Sequence, residues 1–135
     1  MTDSVDGNQT RDILVAGKAK GTVRTFDQHG KRLAVTFSPF GSRASSGISL
    51  GGGDMSGDGR MQIVSARMAV ANARVRVWEN DGKYRRADFA AYSGKRAIAL
   101  AVGDVDGDGV DDIVTIPAAS ATADVRMFTG TGSQL

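Results

Sequence analysis

The sequence predicts an all-β chain of repeated antiparallel units, and three observations carry that prediction. An Asp- and Gly-rich loop recurs at a spacing of fifty residues. The apolar segments are short, alternating or wholly apolar, and bounded by Gly, Asn and Asp, as strands joined by hairpins are. No segment sustains helical periodicity between caps. Composition agrees: Gly is high at 18 residues and Pro low at 2, which favours tight turns over an unstructured linker. Fourteen of the fifteen acidic residues are Asp, the short carboxylate that suits turns, and Glu79 is the only Glu.

The elements follow in order. The faintest copy of the loop, Ser4-Val5-Asp6-Gly7-Asn8-Gln9-Thr10-Arg11-Asp12, runs into the apolar strand Ile13-Leu14-Val15. Val23-Arg24-Thr25-Phe26 forms the next strand, Asp27-Gln28-His29-Gly30 a turn, and a third strand ends in the aromatics Phe37 and Phe40. A small-residue strand from Gly47 to Gly52 opens the next unit. It leads into Asp54-Met55-Ser56-Gly57-Asp58-Gly59-Arg60-Met61-Gln62 and the strand Ile63-Val64. Val75-Arg76-Val77-Trp78, the turn Glu79-Asn80-Asp81-Gly82 and a strand carrying Phe89 and Tyr92 complete it. The third unit repeats the order with Ala97 to Val102 and Asp104-Val105-Asp106-Gly107-Asp108-Gly109-Val110-Asp111-Asp112. Ile113-Val114, Val125-Arg126-Met127-Phe128 and the turn Thr129-Gly130-Thr131-Gly132 follow.

Four strands in ~40–50 residues is the size of one β-propeller blade. The predicted parts are residues 1–46 (strands two to four), 47–96 (a full blade) and 97–135 (strands one to three), together one partial propeller domain of about two and a half blades. Small residues suit the innermost strand, where blades converge. Phe26, Trp78 and Phe128 are read as core between blades. Because propellers close with ~4–8 blades, the expected partner is a copy of the chain in a homo-oligomer or a missing propeller portion.

The third loop carries the chemistry. Side-chain oxygens two residues apart, a Gly for the sharp turn and a further carboxylate let one short loop curl around a hard cation. An EF-hand shares the opening spacing but needs a bidentate Glu at the twelfth position, which here is Thr115 within a strand-like run. An acidic turn without an ion would leave four carboxylates repelling one another.

The unit resembles the FG-GAP and VCBS repeat families, which form calcium-binding β-propeller blades in integrin α-subunit heads and in many bacterial surface proteins. The matching residues are Gly103 to Gly109, then Asp111 to Val114, then Val125 to Phe128. That resemblance implies Ca2+ held by the side chains of Asp104, Asp106, Asp108 and Asp112 and the carbonyl of Val110. The corresponding positions are Asp54, Ser56, Asp58, Arg60 and Gln62 in the second loop, and Ser4, Asp6, Asn8, Thr10 and Asp12 in the first. Each of these two offers only two carboxylates, so the expected calcium affinity falls from the third loop to the others. Asx-type turns held by their own hydrogen bonds are the alternative for both.

Other classes find little support. Cys is absent, which removes disulfides, thiolate catalysis and the usual zinc sites. His29 is the only His and falls in a turn, no Ser-His or Cys-His pairing is available, and no phosphate-cradling motif precedes a helix. The expectation is therefore a non-enzyme. Asn8-Gln9-Thr10 matches a glycosylation sequon that arises often by chance. Formal charge is +2 and the twelve Arg are dispersed, so binding of an acidic polysaccharide or nucleic acid is the weaker alternative. No apolar run approaches the ~20 residues of a membrane helix. Met1 to Asn8 lacks a signal-peptide core. The reading is a recognition or adhesion module for glycan or protein at a cell surface, its leader removed. A purely structural, self-assembling or engineered propeller fragment braced by calcium is the alternative, and an intracellular location stays open.

Overall fold

The computed structural model describes residues 4–8, 10–41, 47–68, 71–118 and 123–135. Gln9 of the sequon, and Met1 to Asp3, lie outside the described residues. Ten strands form three antiparallel sheets, with no helix among the described residues. The first sheet holds β1 (Ile13–Ala16), β2 (Val23–Phe26) and β3 (Arg32–Phe37) in sequence order. The second holds β4 (Ile48–Gly53), β5 (Gln62–Arg67), β6 (Ala71–Trp78) and β7 (Arg85–Arg96). In the third, β8 (Ile98–Gly103), β9 (Asp112–Pro117) and β10 (Arg126–Phe128) follow the same order. Short loops keep consecutive strands adjacent, so every sheet is a meander.

One register recurs. Ile13 pairs Phe26, Ile63 pairs Trp78 and Ile113 pairs Phe128. Two residues along, Val15 pairs Arg24, Ser65 pairs Arg76 and Thr115 pairs Arg126. Directly paired residues project from the same side of a sheet. Each sheet thus presents one face made of the Arg and the aromatic of the Val-Arg-x-aromatic strand.

That face packs on the preceding sheet in the same way twice. Trp78 meets Phe37 with ring centroids 5.2 Å apart, and Phe128 meets Phe89 at 5.0 Å. Arg76 donates to the carbonyl of Pro39 at 2.6 Å and lies 4.8 Å above the Phe40 ring. Arg126 donates to the carbonyl of Ala91 at 2.9 Å and lies 4.5 Å above the Tyr92 ring. Each guanidinium is also anchored within its own unit, Arg76 by Asp88 on β7 and Arg126 by Asp124 just ahead of β10. Tyr92 crosses the same boundary, its hydroxyl donating to the Thr115 carbonyl at 2.9 Å. The sequence reading assigned these aromatics to the core: Phe128 is buried, while Trp78 and Phe26 are half-buried.

Along the inner edge, β4 packs between β1 and β8, and its glycines make that approach. A Cβ on Gly51 would stand 2.6 Å from a Val102 methyl, and one on Gly53 2.5 Å from Asp111 Oδ2. The main core lies between the second and third sheets, around Val64, Val75, Val77, Tyr92, Ile98, Ile113 and Phe128.

Candidate metal centre

The three loops share one hydrogen-bond skeleton. The side chain at the first position accepts from the backbone N–H at the fourth: Gly7 to Ser4 Oγ at 3.0 Å, Gly57 to Asp54 at 2.8 Å and Gly107 to Asp104 at 2.7 Å. The ninth side chain accepts from the second N–H: Val5 to Asp12 at 2.6 Å, Met55 to Gln62 at 2.8 Å and Val105 to Asp112 at 3.3 Å. The fifth accepts from the seventh: Thr10 to Asn8, Arg60 to Asp58 and Val110 to Asp108. Gly at the fourth position supplies the left-handed turn these bonds require, with φ of 78°, 70° and 82° at Gly7, Gly57 and Gly107.

The filling of that skeleton differs. In the third loop, carboxylate oxygens of Asp104, Asp106 and Asp108 lie within 4.8 Å of one another, all on exposed residues. No side-chain donor binds any of the three among the described residues. Asp112 closes the loop from beneath and is buried. Burial pushes its carboxyl above the ordinary value. The Val105 N–H opposes this, and the charges of Asp106, Asp108 and Asp104 reinforce it. The donor set is all hard oxygen, with an uncompensated cluster of negative charge at its mouth. It fits a hard cation such as Ca2+.

In the second loop a side-chain amide occupies the corresponding interior. Gln62 is fully buried, and its Nε2 donates to Ser56 Oγ at 3.3 Å and to Glu79 Oε2 at 3.4 Å. Asp54 Oδ1 accepts from Ser56, Gly57 and Asp58, and its Oδ2 from Gly59 at 2.7 Å. Burial alone would raise the Asp54 carboxyl. The N–H groups of Gly59, Ser56, Gly57 and Asp58 outweigh it and hold the carboxyl below its ordinary value. The first loop is likewise cross-bonded: Ser4 Oγ donates to Asp6 at 3.0 Å, and Asn8 Nδ2 donates to Asp6 at 2.9 Å. Asp12 Oδ1 there is buried without a partner among the described residues.

The sign of the Asp54 effect gives a testable pH dependence. A depressed carboxyl stabilises the fold fully above the ordinary Asp value, and this is lost as pH falls through its lower folded value. In chelator, Asp54→Asn is expected to be less stable than the parent at pH 7. The gap should close as urea melts are taken from pH 4 toward pH 2.

One residue that the sequence reading quoted in the family match, without a role, joins two loops. Asp111 Oδ2 accepts from the Asp54 N–H at 2.7 Å, and the Asp111 N–H donates to the Asp54 carbonyl at 2.9 Å. Asp111 therefore braces the second and third sheets, while its neighbour Asp112 faces the loop. Asp at the eighth position, where the other copies have Arg11 and Met61, was the only available signal.

Residues 54–115, from the second loop to the strand after the third, match the FG-GAP-like repeat family. This stretch is similar to an FG-GAP-like repeat, and the all-β meander agrees with the β-propeller-type module that such a repeat suggests. No curated protein matches the chain. Among the described residues no helix is long and apolar enough to cross a membrane.

Proposed function

We propose that the protein is a non-catalytic, calcium-braced β-propeller module that recognises a glycan or protein ligand at a cell surface. The convergence of Asp104, Asp106 and Asp108 is the observation that carries the calcium reading. In this reading one ion binds the third loop, held by those three side chains, Asp112 and the Val110 carbonyl. Its charge turns the repulsion around Asp112 into attraction. The second loop needs no ion, because the Gln62 amide bridges its interior. Calcium then fixes the link between β8 and β9 beside the Asp54–Asp111 brace, and recognition falls to the surface loops.

The acidic-polymer alternative loses ground on the same structure. Arg74, Arg76 and Arg85 converge on Asp88, Arg86 pairs with Glu79 and Arg126 with Asp124. These guanidinium groups are engaged within the fold instead of forming a free basic face.

A melt in about 10 mM calcium against chelator tests the proposal. A site with Kd near ~10⁻⁴–10⁻³ M adds roughly 1.4–2.7 kcal/mol, a rise of several degrees. Asp108→Asn should abolish the rise, and Asp58→Asn should leave it. A parent protein whose melting ignores calcium contradicts the reading.

A further inference from the structure

The two rims of the molecule differ in charge. The meander sends the ion loops and the hairpins after β2 and β6 to one rim, and the β1–β2 link and the end of β7 to the other. Among the described residues, every Asp and Glu except Asp88 and Asp124 lies on the ion-loop rim. On the opposite rim the outer strand of the second sheet breaks its ladder. Ala90 pairs Arg74 and Lys95 pairs Asn72, so four residues, 91–94, stand opposite the single Ala73. Gly94, with φ of 77°, makes the turn that returns the strand to its partner. Packing on the third sheet uses Ala91 and Tyr92, which are buried, but leaves Ser93 and Lys95 exposed. Bulges of this kind re-aim side chains beside binding sites.

The bulge opens a cleft of about 420 Å³ lined by Asn72, Arg74, Tyr92, Ser93 and Lys95 among others, with no carboxylate in its wall. Arg74 is held in place by Asp88, through Nε at 2.6 Å and Nη2 at 3.1 Å, which leaves its Nη1 without a partner among the described residues. Asp88 also pairs with Arg76 and Arg85, so one carboxylate faces three guanidinium groups and a positive surplus remains. Lys95 has no hydrogen bond or ion pair among the described residues. The blade does not require this charge, because the residue ahead of the Val-Arg-x-aromatic strand is Thr22 in the first unit and Asp124 in the third.

We propose that this cleft is the ligand site and that it takes a carboxylated sugar residue of a glycan. A carboxylate satisfies Lys95 and the free edge of Arg74 through charge-assisted hydrogen bonds. The ring hydroxyls suit the Asn72 amide and the Ser93 hydroxyl, and a compact polar ring suits a cleft of this size. The inference rests on the recognition reading above and is independent of calcium, since the ion loops lie on the other rim.

Backbone amide shifts, followed by NMR during titration with glucuronic acid, test it. Glucose serves as the neutral counterpart, acetate as the bare carboxylate and a Glu-rich peptide as the acidic protein mimic. Glucuronate is expected to move the amides of Asn72, Arg74 and Ser93 to Lys95, with Kd on the order of 1 mM, in calcium and in chelator alike. Glucose and acetate should bind more weakly. Lys95→Gln should weaken glucuronate about tenfold or more without changing the melting temperature, and Lys83→Gln, on the ion-loop rim, should change nothing. Four results overturn the proposal: no response to glucuronate, an equal response to glucose or acetate, a response to the peptide alone, or glucuronate binding indifferent to Lys95→Gln. That last result would leave the recognition reading standing at another site, and a failed calcium titration would leave this cleft untouched.

Discussion

Gly53→Ala is expected to destabilise the protein by about 2 kcal/mol, while Gly103→Ala, the same substitution fifty residues on, leaves stability unchanged or slightly raised. Both glycines end an inner strand and precede an Asp that opens a loop, and neither needs a left-handed backbone. Their neighbours differ. A Cβ at position 53 would lie 2.5 Å from Asp111 Oδ2 and 2.7 Å from a Val102 methyl, and one at 103 has nothing within 4 Å. Asp111 cannot yield freely, because that oxygen accepts the Asp54 N–H. Overpacking costs ~1–3 kcal/mol and a weakened hydrogen bond to a charged group ~1.5–3 kcal/mol. The alanine's smaller loss of backbone entropy returns ~0.5–1 kcal/mol. At position 103 only that last contribution remains. Chemical denaturation of the two variants, read against the parent, measures the difference directly.

The second large effect is expected at Gln62. Gln62→Ala removes a fully buried amide, orphans the Met55 N–H and leaves a cavity beneath the second loop. An unsatisfied buried donor costs ~1–3 kcal/mol and a cavity from a side chain of this size adds to it, so a loss of about 3 kcal/mol is expected. It should be equal in calcium and in chelator if, as proposed, the Gln62 amide closes this loop in place of an ion. Asp112→Asn is the counterpart in the third loop. There burial disfavours the parent carboxylate, and the charges of Asp106, Asp108 and Asp104 add to that, so removing its charge should cost little in chelator and should abolish the calcium response. Paired melts of the two variants with and without calcium separate an amide-closed loop from an ion-closed one. A calcium-dependent penalty for Gln62→Ala would contradict the account.

How far the sequence was legible follows from these residues. The strands could be read because alternation and Val-Arg-x-aromatic spacing are local signals, and the three sheets follow them in order. Phe40 shows where local signals stop. It was placed at the end of a strand, yet β3 ends at Phe37 and Phe40 lies in the following turn, under Arg76. The acidic cluster was visible because its ligands sit within nine residues of chain. The closure of the second loop was not, because the Gln62 amide also donates to the carboxylate of Glu79, seventeen residues away. The socket for Arg76 was hidden for the same reason: its parts, Pro39 and Phe40, lie on the preceding sheet.

Calorimetric titration of the chelator-stripped protein with calcium tests the central claim most directly. The account predicts one ion per chain with Kd near ~10⁻⁴–10⁻³ M, lost in Asp106→Asn and kept in Asp58→Asn. Absence of binding, or two or more ions per chain with Asp58→Asn removing one, would contradict it.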